Sequence, residues 1–503
     1  MLEDSGAIFL ATSYLLVVGV LALYGFHRYC ILYLYLKHRK NVPVPAGRFE
    51  ELPRVTVQLP IFNELYVVER LLNSVSELDY PRHLLQIQVL DDSTDETCDM
   101  AESGVKQLRE QGFDVEYIHR TDRTGFKAGA LENGMDSCRG EFILILDADF
   151  VPKPNLLLDT IHFFTNPKVG MVQSRWGHIN RDYSMLTRIQ AMFLDGHLVL
   201  EQTARSRAGR FINFNGTGGL WRRSCIVEAG GWQHDTLTED LDLSYRAQLA
   251  GWKFLFLKDI ITPAELPVDM NGFRSQQHRW TKGSIQTCKK ILGKVWRSPL
   301  PLLVKLEATV HLTSNFAYLL LVFLCVLLHE APRSGELLAG PWRALLFDVP
   351  VFVLASMSAA IFYAVAQREN DPREWLKEII YLPLLLALGI GMSISNAKAV
   401  LEAVFNHESE FTRTPKYGIE RKKQRWTGTK YKSIKSVLPF VELGFAIYFT
   451  YFMVDAALAG QWFSLPFLAL FQGGFSYVAW SSISQWLPRW PSRRTEESEA
   501  VAV

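Results

Sequence analysis

Net charge is almost missing from this chain: 53 Lys and Arg against 52 Asp and Glu leave a formal +1 over 503 residues. A whole-molecule attraction to nucleic acid needs a basic field, so nucleic acid is not expected as a partner. Paired cysteine is missing too. Cys30, Cys98, Cys138, Cys225, Cys288 and Cys325 are scattered, without zinc-like spacing, which fits a reducing compartment and no disulfide frame. The lone Asn215-Gly216-Thr217 sequon sits in a Gly-rich turn and carries no argument for glycosylation. No small-residue cleavage site follows the first apolar run, Ala7 to Tyr29, so that run reads as a retained transmembrane helix.

What is present is unevenly spread. Hydrophobic residues make up 49% and charged ones 21%, an ordinary average, yet apolar runs gather at the N-terminus and after Pro301. Glu3 and Asp4 precede the first run and Lys37, His38, Arg39 and Lys40 follow it. The positive-inside rule then puts the N-terminus outside and the next segment in the cytoplasm.

From Arg54 the pattern changes to short apolar strands alternating with helices. Val55–Leu59, Ile87–Leu90, Val115–Ile118, Phe142–Leu146 and Val169–Val172 read as strands, and Glu64–Leu78, Glu96–Glu110 and Lys127–Cys138 as helices. The alternation predicts an α/β nucleotide-binding domain with a mostly parallel sheet and helices on both faces. Ligands gather at the carboxyl ends of such strands, and that is where acids stand: Asp91-Asp92 after one strand, Asp147-Ala148-Asp149 after another. Two hard carboxylates at a strand end suit Mg²⁺ or Mn²⁺ bridging a diphosphate, although acidic strand ends also simply cap turns. The run from Asp91 to Asp95 reads either as helix capping or as a contact for a nucleoside base or ribose.

Four further stretches carry polar chemistry. Arg123 to Ala130 opens a helix with two glycines and Lys127, a phosphate-binding pattern or merely a solvated helix start. Asn213 to Gly219, with Asn215 and Gly216, permits close backbone approach to a ligand or forms a tight turn. Thr238 reads as an N-cap before Glu239-Asp240, acids that complement a helix dipole or, beside a phosphate site, accept a proton from a hydroxyl. In Gln276-Gln277-His278-Arg279-Trp280, Arg279 suits a phosphate and Trp280 a sugar face; the alternative is a helix end snorkelling at a membrane surface. Asn271 to Ile291 is expected to lie along the membrane face.

In the C-terminal half, Leu306–Leu328, Leu345–Ala366, Val437–Ala457 and Trp462–Ile483 read as spanning helices. Were Glu378–Val404 also to span, the Lys- and Arg-rich stretch 413–435 would lie outside, so an in-plane or re-entrant helix is expected there. The count is five spans, six if that argument fails. Ionisable residues in the spans are few (Glu307, His311, Asp348, Glu442, Asp455), which suits a path for a neutral polymer better than a proton-coupled transporter.

In this order, Asp92, Asp147-x-Asp149, Thr238-Glu239-Asp240 and Gln276-x-x-Arg279-Trp280 resemble the signature of processive family 2 glycosyltransferases, the group of cellulose, hyaluronan and chitin synthases. The wording of Asn213–Trp221, Thr238–Trp252 and Gln276–Trp280 is most similar to cellulose-synthase-like mannan and glucan synthases. Phe411-Thr412-Arg413-Thr414-Pro415-Lys416 resembles the gating loop of bacterial cellulose synthase. The resemblance implies a GT-A-like cytosolic domain, 50–295, inserted in a helical membrane domain. Flanking it are a first span in 1–40, spans in 300–370, an interfacial helix with the gating loop in 376–436, spans in 437–486 and a cytosolic tail, 487–503. It implies Glu64 and Asp92 in the nucleotide pocket, Lys127 and Arg279 near the diphosphate, Asp147 and Asp149 holding Mg²⁺ or Mn²⁺, and Asp240 as general base. Trp280 would form the acceptor platform, with Gln276, Thr238, Glu239, Asn215 and Gly216 around it. The implied function is polymerisation of a β-glucan, β-mannan or glucomannan, with export across a plasma or inner membrane. UDP-glucose is the first donor expected and GDP-mannose the second. The alternative is transfer of one hexose to a lipid. Accessory export proteins are not legible.

Overall fold

The computed structural model describes residues 2–330, 349–408, 413–421, 424, 426, 430 and 436–486. Among these residues seven strands form one sheet: β1 (Val55–Ile61), β2 (Leu85–Asp91), β3 (Asp114–His119), β4 (Phe142–Ile145), β5 (Val169–His178), β6 (Gly219–Arg222) and β7 (Lys253–Ala264). Their order is β3-β2-β1-β4-β6-β5-β7. The sheet is mixed rather than wholly parallel, because β6 runs antiparallel to both β4 and β5 while every other pairing is parallel. β6 and β7 are not anticipated by the sequence reading; β6 has only four residues, too few to show a period.

Alternation along β1 sends Val55, Val57, Leu59 and Ile61 into one core with the Val68–Ser76 and Thr97–Glu110 helices. Its other face carries buried Thr56 and Gln58, which pair with Gln86 at 2.8 Å and Gln88 at 3.0 Å on β2. On that side Leu90, Ile143 and Ile145 pack with Leu131 of the Phe126–Met135 helix. Helices therefore cover both faces, as expected, and function is pushed to the strand ends.

The helical half departs from a set of straight spans. The expected Leu306–Leu328 span is two helices, Leu302–Thr313 and Phe316–Leu327, bent by 58°. The polar pair Ser314-Asn315 lies at the break, and the Tyr24 hydroxyl donates to the Thr313 carbonyl at 3.1 Å, satisfying backbone there. Leu382–Gly391 and Ser393–Val404 are bent by 42°, a geometry open to a broken span or a re-entrant segment. Beside that break Gly391 meets Gly474, where a Cβ on Gly391 would stand 2.3 Å from the Gly474 carbonyl oxygen. Among the described residues three helices, Gly6–His38, Val349–Asn370 and Leu438–Leu458, are long and apolar enough to cross a membrane, or up to five segments if each bent pair is one span. In the expected Trp462–Ile483 span the structure has a 19-residue helix, Leu465–Ile483, that falls outside that set and packs on Leu438–Leu458.

The helix expected on the membrane face runs longer, Met270–Arg297, and is capped by Asp269, whose carboxylate accepts from the Gly272 amide at 2.7 Å. It is enclosed on several sides, with Asn271, Arg274, Thr281 and Lys282 all buried. It packs against Glu239–Leu249, Leu302–Thr313, Ser393–Val404 and Leu465–Ile483. It therefore joins the sheet domain to the helical half.

Candidate functional site

The carboxyl ends of the parallel strands and the start of antiparallel β6 meet at one edge of the sheet. Ile145 at the end of β4 pairs with Gly219 at the start of β6, so the loop before β6 delivers Asn215 to Thr217 beside Asp147. The Asp147 amide donates to the Thr217 hydroxyl at 2.8 Å. One cavity of about 230 Å³ opens there, lined by all the described candidate residues: Glu64, Asp92, Lys127, Asp147, Asp149, Asn215, Gly216, Thr238, Glu239, Asp240, Gln276, Arg279, Trp280, Arg413, Thr414 and Lys416. Phe411 and Thr412 lie outside the described residues.

Cations and carboxylates interleave inside it. Lys127 Nζ donates to Asp147 Oδ1 at 2.5 Å and to the Gly216 carbonyl at 2.9 Å. Lys416 Nζ lies 2.6 Å from Asp149 Oδ2, and the Glu265 amide also donates to that oxygen at 3.2 Å. Arg413 clamps Glu64 through two bonds of 3.0 and 2.8 Å. Arg279 donates to the Thr414 hydroxyl at 3.0 Å. Residues 413–417 thus lie across the acid cluster, with the Tyr417 amide on Glu265 Oε1 at 3.0 Å.

Enclosure shifts the titration of this cluster. Burial raises Asp240, and the neighbouring Glu239 charge adds to the rise. Burial also lifts Glu64 to about 7 against the pull of Arg413. Burial opposes charge on Lys127, yet the carboxylates of Asp147, Glu239 and Asp240 hold its pKa above the ordinary lysine value. For Arg279, burial wins and brings it to about 10. A carboxylate that binds a proton near neutrality beside cations is the arrangement expected of a general base next to an anion site.

Asp240 is in the first turn of the Glu239–Leu249 helix and accepts from the Leu241 amide at 2.8 Å. Thr238 occupies the N-cap position, but its side chain does not cap: its hydroxyl faces Thr287 at 3.2 Å on the Met270–Arg297 helix. Gly283 allows this docking, since a Cβ there would meet Thr238 at 2.5 Å. Gly216 holds φ 83°, and a Cβ on it would stand 3.0 Å from Asp240 Oδ2 and 3.6 Å from Lys127 Nζ. Gly216→Ala is expected to lower stability by about 1–2 kcal/mol and turnover by up to about 10²-fold. A variant with wild-type melting and turnover would sink that expectation.

A second cavity of about 390 Å³ continues from the first. Trp176, Leu194, Asn215, Thr238, Asp240, Gln276 and Trp280 line both. The second is closed by Tyr24 and Arg28 of the first helix, Asn315 and Tyr318 at one helix break, and Met392 and Asn396 at the other. Trp280 faces Trp176 with ring centroids 6.5 Å apart, and the Trp176 indole donates to the Thr217 carbonyl at 3.1 Å.

Sequence reading missed Trp176 and Glu265, which stand at the ends of β5 and β7. Gln173 and Trp176, a polar and an aromatic residue just past the apolar Val169–Val172, are the signal that could have found the first; nothing comparable marks Glu265. It also missed Arg120. Both Asp92 oxygens accept from Arg120, at 2.8 and 2.6 Å, so Asp92 lines the cavity with its carboxylate already engaged.

Comparison with known proteins gives a consistent picture. A family model described as glycosyltransferase like family 2 matches residues 53–283. Glucomannan 4-beta-mannosyltransferase 7 of Arabidopsis thaliana is 33% identical over 396 residues, 75% of this chain and 68% of that one. Probable glucomannan 4-beta-mannosyltransferase 7 of Oryza sativa subsp. japonica is 44% identical over 246 residues, 48% of this chain and 42% of that one. The chain spans about half the length of several of these curated relatives. Among solved structures, mannosyltransferase PcManGT from Pyrobaculum calidifontis, in complex with GDP-Man and Mn²⁺, has a TM-score of 0.50 at 20% identity. The match covers 78% of this chain and all of that one, and it shows that the two share a fold.

Proposed function

The chain belongs to the family 2 glycosyltransferases, and we propose that it is a membrane-embedded inverting enzyme that polymerises a β-linked hexose chain and passes it across the bilayer. What carries the reading is the pair of cavities that share Asp240 and Trp280: one rich in acids and cations, the other bounded by the membrane half. A donor bound in the first places its anomeric carbon near Asp240, and an acceptor resting on Trp280 enters from the second.

The donor proposed is GDP-mannose ahead of UDP-glucose, reversing the order expected from sequence, because the curated relatives are named as glucomannan 4-beta-mannosyltransferases. Asp147 and Asp149 are the residues proposed to hold a divalent cation. They fit one, since both are hard carboxylates and each already draws a cationic group to it in this structure, the Lys127 ammonium to Asp147 and the Lys416 ammonium to Asp149. Mg²⁺ or Mn²⁺ bound there supplies charge neutralisation to a diphosphate leaving group.

The chain's own groups do the rest. Asp240 takes the proton of the attacking acceptor hydroxyl as that oxygen displaces the nucleoside diphosphate from the opposite face, which inverts the centre and gives a β-linkage. Arg279 and Lys127 stabilise the departing diphosphate electrostatically. Trp280 and Trp176 hold the acceptor sugar against the transfer point, with Asn215, Gln276, Thr238 and Glu239 at its edges. Residues 413–417 cover the donor and must release Glu64 and Asp149 as it binds.

In membrane terms, residues 50–295 are proposed to be cytosolic and inserted between the first span and the remaining helices, with residues 376–408 at the interface and Leu465–Ile483, less apolar than the others, as the fifth span. The basic flank Lys37 to Lys40 after the first span supports that orientation.

The test is purified protein in lipid nanodiscs supplied with GDP-mannose or UDP-glucose and Mg²⁺ or Mn²⁺, followed by digestion with linkage-specific glycanases. A polymer cut by a β-1,4-mannanase or glucanase supports the reading; a single-sugar glycolipid as the sole product replaces it with transfer to lipid. In the same assay Trp280→Ala is expected to shorten the product and weaken acceptor use roughly two- to tenfold, the size of one stacking contact, with donor affinity unchanged. Unaltered product length would remove Trp280 from the acceptor path.

A further inference from the structure

We infer that Asp91, Cys98 and His119 form a binding site for a zinc ion, separate from the cation site proposed at Asp147 and Asp149 and independent of the donor reading. A carboxylate oxygen of Asp91, the Cys98 Sγ and a ring nitrogen of His119 all lie within 4.8 Å of one another. Three elements bring them together. Asp91 ends β2, His119 ends β3 and pairs with it in the parallel register, and Cys98 is in the first turn of the Thr97–Glu110 helix. Because the three come from separate elements, no zinc-like spacing shows in the sequence.

Asp91 is the group that calls for a cation. Its side chain is fully buried, and a buried carboxylate is normally paired or bound to metal. The adjacent Asp92 meets that demand with both oxygens on the Arg120 guanidinium. Asp91 has weaker partners: Oδ1 accepts from the Ser93 amide at 2.8 Å, and Oδ2 accepts from the Tyr117 hydroxyl at 2.7 Å. Among the described residues its ion-pair partner is His119 Nδ1 at 3.8 Å, which carries charge only when protonated. The charges of Asp95 and Asp99 also act on Cys98, so the local field favours a divalent cation.

The donor set selects the metal. Thiolate, imidazole and carboxylate together suit Zn²⁺, whereas Mg²⁺ and Mn²⁺ prefer oxygen ligands such as Asp147 and Asp149. Zinc bonds of about 2.0–2.3 Å hold tetrahedral ligand atoms about 3.3–3.8 Å apart, so the site closes by a short movement. His119 is exposed, and rotation of its ring supplies that movement. Binding breaks the S–H bond of Cys98, whose proton passes to solvent. The sulfur then exchanges its contact with the Ser93 carbonyl, 3.1 Å away, for the metal. Water takes the fourth position. Bound zinc ties the ends of β2 and β3 to the start of the helix that follows β2.

The experiment uses Co²⁺ as the probe, because a cobalt–thiolate bond gives a charge-transfer band in the near ultraviolet that oxygen ligands do not. Metal-free, reduced full chain in nanodiscs is titrated with Co²⁺, and Zn²⁺ is then added in competition. Wild type is expected to develop the band and to lose it as Zn²⁺ displaces Co²⁺. Cys98→Ser is expected to abolish the band. His119→Ala is expected to weaken Zn²⁺ binding by at least about 10- to 100-fold, since even a residue that only supports a metal ligand is worth that much. Asp147→Asn, at the other cation site, is expected to keep the band at wild-type strength. No band in wild type, a band that survives in Cys98→Ser, or a band lost in Asp147→Asn overturns the site. Unchanged Zn²⁺ affinity in His119→Ala overturns it as well. Because His119 is exposed, its variant decides the matter if Cys98→Ser does not fold.

Discussion

Asp240→Asn is expected to lower turnover by about 10²- to 10⁴-fold while GDP-mannose affinity stays within a few-fold of wild type. Asparagine keeps the size of the side chain and an oxygen for the Leu241 amide, but it takes no proton from the acceptor. The pH dependence follows from the raised carboxyl. Since burial and Glu239 lift Asp240 above the ordinary carboxylate value, its base form is lost as pH falls through that raised value, well before pH 4. Wild-type turnover should therefore drop on the acid side of neutrality. The sign for stability is the reverse. A carboxyl whose folded pKa is raised disfavours the folded state at pH above that value and stops doing so below the unfolded one. Without added divalent cation, Asp240→Asn should melt higher than wild type at pH 8. Polymer formation at the wild-type rate by Asp240→Asn would remove Asp240 as the base.

Glu442→Ala is expected to destabilise the protein by about 3–5 kcal/mol. Glu442 is fully buried and lies 2.8 Å from Arg274, which also donates to the Ser482 hydroxyl at 2.9 Å. Removing the carboxylate leaves a guanidinium in an enclosed site, and that uncompensated charge, rather than the lost attraction, sets the magnitude. Replacing both partners, as in Arg274→Met with Glu442→Leu, should recover most of the loss. Thermal unfolding of the three variants in one detergent checks this; a double variant worse than Glu442→Ala would refute the pairing argument. The pair has a functional side. Arg274 is on the helix that carries Arg279 and Trp280, so the contact fixes the helix bearing the proposed acceptor platform to the Leu438–Leu458 and Leu465–Ile483 helices. Loosening it is expected to alter product length before it alters donor binding.

By itself the sequence determined which chemistry was available. Carboxylates at the ends of apolar runs, Asp92, Asp147 and Asp149, are legible because strand period and acid position are both local properties. The same holds for Asp240 in a helix start and for Arg279-Trp280 on an amphipathic segment. The described members of the candidate set line one cavity because the chain delivers strand ends, helix starts and the Met270–Arg297 helix to a single sheet edge. Where local rules ran out, tertiary structure decided. Thr238 has a capping residue's identity but a packing residue's contacts, because Gly283 lets a helix approach closely enough to take its hydroxyl. Asp92 has a ligand's position but a positioning residue's bonds, because Arg120 arrives from the end of the neighbouring strand, 28 residues away. The break at Ser314-Asn315 is invisible to an apolar window, and the Thr313 carbonyl beside it is satisfied by Tyr24 from a helix 289 residues earlier. Local pattern fixes which groups a segment offers; which of them stay available to a ligand depends on partners that are far away in sequence and near in space.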